Sequence, residues 1–98
     1  MSTDLARVGF DLDAAWMLHP QVSVRPERFG ALLYHFGTRR LSFLKSRALL
    51  DVVTSLGHQP SARAAFGDCG IAGDDVAAYS SALATLAGSS MICLRTST

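Results

Sequence analysis

The chain has 98 residues, 49% of them hydrophobic and 17% charged, with a formal net charge of +1. That is the size of one domain built on one core, and the composition excludes extensive disorder. The small total hides a segregation. Residues 21–47 carry Arg25, Arg28, Arg39, Arg40, Lys45 and Arg47 against Glu27, a net +5. Residues 1–20 (Arg7 against Asp4, Asp11 and Asp13) and 48–98 (Arg63 and Arg95 against Asp51, Asp68, Asp74 and Asp75) are each −2.

Residues 1–14 show no firm periodicity and are expected to be a loosely held N-terminal segment, with residues 15–98 forming the folded domain. Trp16–Leu18 leads into His19-Pro20-Gln21, a turn signal, because proline fixes its own φ and restricts its predecessor. Val22–Arg25 alternates apolar and polar residues and reads as a short strand stopped by Pro26. Ala31–Phe36 is a second strand, and Gly37-Thr38 fits a two-residue hairpin loop with glycine at the position of positive φ. Arg40–Leu44 is the third strand, with Leu41 and Phe43 on one face and Ser42 and Leu44 on the other.

Three helices follow. Ser46 is placed to cap the first, whose Leu49, Val52, Val53 and Leu56 recur at helical spacing before Gly57 ends it. Ser61 caps a short second helix stopped by Gly67, and Gly70 and Gly73 bracket a loop. Asp74 is read as the cap of the third, with Asp75 favourable against the helix dipole. Val76, Tyr79, Leu83 and Leu86 form its apolar stripe, and Gly88-Ser89-Ser90 ends it. Met91–Leu94 is a short apolar tail that also suits a strand.

Catalytic signatures are missing. There is no GxGxxG, Walker loop, HExxH or paired CxxC, and His19, His35 and His58 are scattered over turn, strand and loop. Glu27 is the only glutamate, and the aspartates at helix starts are explained by capping. Cys69 and Cys93 have no metal or redox spacing and read as buried free thiols. No enzyme, cofactor or metal site is expected. No secretion signal is visible, and the longest uncharged run, Val76–Leu94, holds four serines and is too polar to span a membrane. A cytoplasmic location follows as the expectation.

A sheet this small leaves edges, and an unpaired edge must be protected or used. Arg39–Leu44 has no proline and no bulge-forming glycine after Gly37, so it reads as an edge open to an extended peptide. The plainer alternative makes Arg39 and Arg40 solubilising edge residues. Strands followed by three helices also suit a winged helix on nucleic acid. The third helix, however, lacks Lys, Arg, Asn and Gln and starts with two aspartates, the wrong sign for a phosphate lattice. If instead the Val76/Tyr79/Leu83 stripe lies beside the strand, the two make a groove with one backbone wall and one apolar wall. Plain core packing is the competing explanation of that stripe. A structural module that dimerises through the same edge is the remaining rival.

The run WMLHPQVSVRPERFGALLYHFGTRRLSFLKS, Trp16 to Ser46, closely resembles the peptide chaperones of mycofactocin biosynthesis, within the PqqD-like precursor-peptide recognition elements. HPQVSVRPE and FGALLYHFGTRRLSFL carry most of the resemblance, and the helical half matches by pattern. The resemblance implies an α+β, winged-helix-like domain: a three-stranded antiparallel sheet followed by three helices. It implies a non-catalytic chaperone that binds the leader of a ribosomally made precursor peptide as an added strand, between the third strand and third helix. The peptide is then presented to a radical S-adenosylmethionine maturase, which modifies its C-terminal Val-Tyr and itself carries the iron–sulfur clusters. By position the peptide edge is Arg39, Arg40, Leu41, Ser42 and Phe43, and the helix wall is Val76, Tyr79 and Leu83. Many members of the wider superfamily have an Asn-containing cap where Leu44-Lys45-Ser46 stands here, which leaves either register of the edge open.

Overall fold

The computed structural model describes residues 10–95. Five strands and three helices follow in the order β1 (Trp16–Leu18), β2 (Val22–Glu27), β3 (Gly30–His35), β4 (Arg40–Leu44), α1 (Arg47–Ser55), α2 (Ala62–Asp68), α3 (Asp75–Gly88) and β5 (Ile92–Leu94). A 3₁₀ turn, Leu56–His58, extends α1. The class is α+β: β2, β3 and β4 form an antiparallel sheet in that order, and β1 pairs with β5 as a separate two-stranded ribbon. The C-terminal apolar tail therefore is a strand, and Trp16–Leu18 is its partner.

Alternation decides which sheet face is covered. On β3, Ala31, Leu33 and His35 are buried and Leu32 and Tyr34 half-buried, and the register Leu33↔Ser42 and Ala31↔Leu44 carries that face onto β4. Leu44 is fully buried, with Leu50, Val52, Val53 and Leu56 from α1 and its 3₁₀ extension behind it. Each fully buried Leu, Ile or Val side chain contributes about 1.5–3 kcal/mol of transfer free energy. Leu83 and Leu86 of α3, Phe66 of α2 and Ile92 of β5 complete the core.

Two helix starts follow the sequence reading: Ser46 Oγ accepts from Leu49 N–H and Ser61 Oγ from Ala64 N–H, at 3.0 and 3.1 Å. Asp74 departs from it. Its backbone is already helical and its side chain makes no capping bond, so only the charge of Asp75 in the first turn favours that end. The α2 helix runs through Gly67 to Asp68. Strand β2 runs through Pro26 to Glu27, pairing Pro26 with Ala31. β2 is an edge strand, where the missing N–H can face outward.

The β3–β4 hairpin also corrects the sequence reading. The loop is Phe36–Arg39, four residues, and positive φ falls on Arg39 (63°), not on Gly37. His35 sets this geometry: its Nδ1 accepts from the N–H groups of Gly37 (3.0 Å) and Thr38 (3.1 Å), and Arg39 N–H donates to the His35 carbonyl at 2.7 Å. A Cβ at position 37 would crowd the end of the Gln21 side chain and the edge of the His35 ring, and the exposed Gln21 side chain can turn aside to relieve most of it.

Of residues 1–14, residues 10–14 are described, and they pack onto the domain. Phe10 stacks on Trp16 with centroids 4.5 Å apart, and Arg63 Nε donates to Asp13 Oδ1 at 2.8 Å. Arg95 closes the other end: its guanidinium donates to the Gly57 and Gln59 carbonyls at 2.8 and 2.6 Å, a cation at the end of the 3₁₀ turn.

Candidate functional site

The two sheet edges are not alike. β2 carries Pro26 within its length, whereas β4 offers five residues without proline and pairs only with β3 among the described residues. Its outer edge therefore presents unpaired backbone N–H and C=O groups. Helix α3 passes alongside, and between them opens a groove of about 410 Å³ lined by Leu41, Ser42, Phe43, Leu44 and Lys45, by Leu49 of α1, and by Ala82, Thr85 and Leu86 of α3. Leu44 and Leu86 are core residues at its floor, and Ala82 leaves the helix wall low. One wall is backbone and the other apolar, the chemistry that holds an extended peptide.

The sequence-predicted residues divide across this geometry. Leu41, Ser42 and Phe43 line the groove. Arg39 and Arg40 do not: both are exposed at the hairpin end of β4, where Arg39 occupies the loop and Arg40 pairs with His35. Val76, Tyr79 and Leu83 lie on α3 but not on the groove wall. Leu83 is fully buried in the core, and Tyr79 meets Phe66 edge-on at 6.4 Å between centroids. Val76 is half-buried against the same core. The wall is the neighbouring strip, Ala82 and Thr85, with Leu86 shared between core and groove. Leu49 and Leu86 belonged to apolar stripes visible in the sequence; Ala82, Thr85 and Lys45 carried no such signal.

A second, shallower concavity of about 480 Å³ lies on the opposite chemistry, lined by Asp51, Thr54, Ser55, His58, Gln59, Asp68 and Cys69. Ser55 Oγ donates to Asp68 Oδ2 at 3.2 Å. Burial, and then the charges of Asp68 and Asp51, push the Cys69 thiol above its ordinary value, partly offset by a hydrogen bond with Ser55. A thiol held neutral is a poor nucleophile. Among the described residues no three His, Cys, Asp or Glu side chains group to hold a metal ion. No described helix is long and apolar enough to cross a membrane.

Residues 15–93 match the model of the Peptide chaperone MftB family. Three curated relatives, each named peptide chaperone MftB, align over most of their length. The protein of Mycolicibacterium smegmatis is 55% identical over 93 residues, covering 94% of this chain and 91% of its own. That of Mycobacterium tuberculosis is 55% identical over 89 residues, 91% and 82% of the two chains. That of Mycobacterium ulcerans is 57% identical over 83 residues, 85% and 76% of the two chains. No solved structure gives a significant match.

Proposed function

The chain belongs to the peptide chaperone MftB family, and on that premise we propose that it binds the leader of a precursor peptide as a strand added to β4 and presents that peptide to a radical S-adenosylmethionine maturase in mycofactocin biosynthesis. The observation that carries the reading is the unpaired β4 edge facing α3 across an apolar groove. An incoming strand gains main-chain hydrogen bonds of about 0.5–1.5 kcal/mol each. Its alternate side chains enter the helix-side space between Ser42, Leu44, Leu49 and Leu86, which supplies the sequence preference. Lys45 on the groove and the exposed Arg39 and Arg40 at its hairpin end favour a leader with carboxylates.

In this reading the chaperone is not an enzyme and acts in the cytoplasm. The iron–sulfur chemistry is the maturase's, and the chaperone's task is to hold the leader so that the reacting end reaches the enzyme. Calorimetric titration with a synthetic leader tests it, using the wild type and Ala82→Trp, which fills the groove from a half-exposed helix position. One-to-one binding by the wild type, weakened about tenfold or more in the variant with its fold intact, is the expected result. Equal binding by both proteins would place the peptide elsewhere.

A further inference from the structure

The face of the sheet turned away from the core is apolar. Phe43 is 61%, Phe36 60%, Leu41 56% and Phe29 49% exposed, beside the half-buried Leu32 and Tyr34. These residues touch one another as a patch: Leu32 pairs with Phe43 and Tyr34 with Leu41, Phe36 meets Tyr34 at 5.1 Å and Phe29 meets Phe43 at 6.1 Å between centroids. Single exposed apolar residues are ordinary; a contiguous aromatic patch on one sheet face marks an interaction surface.

Its margin is basic. Arg25 on β2, Arg28 and Arg39 in the two hairpin turns and Lys45 after β4 are all exposed, and Arg25 holds the Glu27 carboxylate at 3.1 Å. Two copies of this face would bring like charges together, so self-association is opposed. The complementary surface has an apolar centre ringed by carboxylates. A folded protein offers both; a free strand at the β4 edge covers neither Phe36 nor Arg28.

We propose that this outer face docks such a folded protein and that, on the functional reading above, the protein is the maturase. The placement has a consequence for loaded chaperone. A leader strand added to β4 continues the pleat, so its alternate side chains emerge on the same face as Leu41 and Phe43. The maturase then meets a surface made of both chaperone and peptide, and binds the loaded form more tightly. By linkage the peptide is held more tightly in turn.

Titrations of purified maturase, with and without saturating leader, test the proposal on the wild type, Phe36→Ser and Arg28→Glu. Both positions are exposed and lie outside the groove. Both variants are expected to keep leader affinity within about twofold while losing maturase affinity by about tenfold. The Arg28→Glu loss should shrink as salt rises. Unchanged maturase affinity in both variants overturns the surface, and equal affinity for empty and loaded chaperone overturns the composite face. A concentration-dependent dimer in sedimentation that Phe36→Ser abolishes would assign the patch to a second copy and also overturn the proposal. Absence of leader binding by the wild type is a different failure, that of the functional reading itself.

Discussion

Phe43 and Leu44 are neighbours on β4 that point to opposite sides of the sheet, Phe43 61% exposed and Leu44 fully buried. One strand thus joins core, groove and outer face. Leu44→Ala should cost about 2–5 kcal/mol by leaving a cavity under α1. Phe43→Ala should stay within about 1 kcal/mol while weakening leader binding. Urea unfolding of the two variants measures the difference; equal losses would mean that the strand faces are misassigned.

Gly30 lies against the backbone at the far end of β4. Its φ is 154°, and a Cβ would stand 2.1 Å from the Leu44 carbonyl oxygen and 2.8 Å from Ser46 N. Backbone at both contacts cannot move aside without disturbing the strand end and the Ser46 cap of α1. Gly30→Ala should therefore lose about 2–3 kcal/mol or more, read as a fall in thermal midpoint. A variant as stable as the wild type would contradict this close approach.

His35 holds the hairpin loop through one ring nitrogen. Removing Nδ1 leaves the amides of Gly37 and Thr38 without their acceptor, a loss of about 1–3 kcal/mol. His35→Ala should show that loss together with faster amide exchange at 37 and 38. His35→Asn, which can place an acceptor near the same point, should recover part of it. Unaltered exchange in the alanine variant would mean that the loop is fixed by other contacts.

The two cysteines give a pH test. Burial raises both thiols, with the charges of Asp68 and Asp51 adding to the effect at Cys69. The neutral thiol thus persists to higher pH in the native protein than in the unfolded chain. The stability this lends is complete below the unfolded value and lost as pH rises through the folded one. Thiol-labelling rates plotted against pH should reach their midpoint at higher pH for the native protein than in urea. Coincident midpoints would remove the assigned burial.

Much of the fold was legible because its signals are local. Ser46 and Ser61 announce helix starts through oxygens that bond their own next turn, and the three-stranded order of β2, β3 and β4 follows from short connections. The hairpin loop was not, because its conformation rests on the His35 side chain bonding forward to Gly37 and Thr38. Nor could the groove wall be read. The stripe Val76, Tyr79, Leu83 marks the core side of α3 by its hydrophobicity, whereas Ala82 and Thr85 face the groove because they are small or polar and shape it by leaving space. β3 is apolar on both faces, and on β4 the more apolar side, Leu41 and Phe43, is the exposed one, so alternation alone left open which face the helices cover.

Strand addition at β4 is tested most directly by residue-resolved amide hydrogen exchange over Arg40–Leu44, with and without saturating leader peptide. An edge strand points alternate N–H groups outward, so every second amide of β4 should slow on peptide binding, with the amides of β2 unchanged. Exchange along β4 that is the same with and without bound leader would contradict it, and would place the peptide away from this edge.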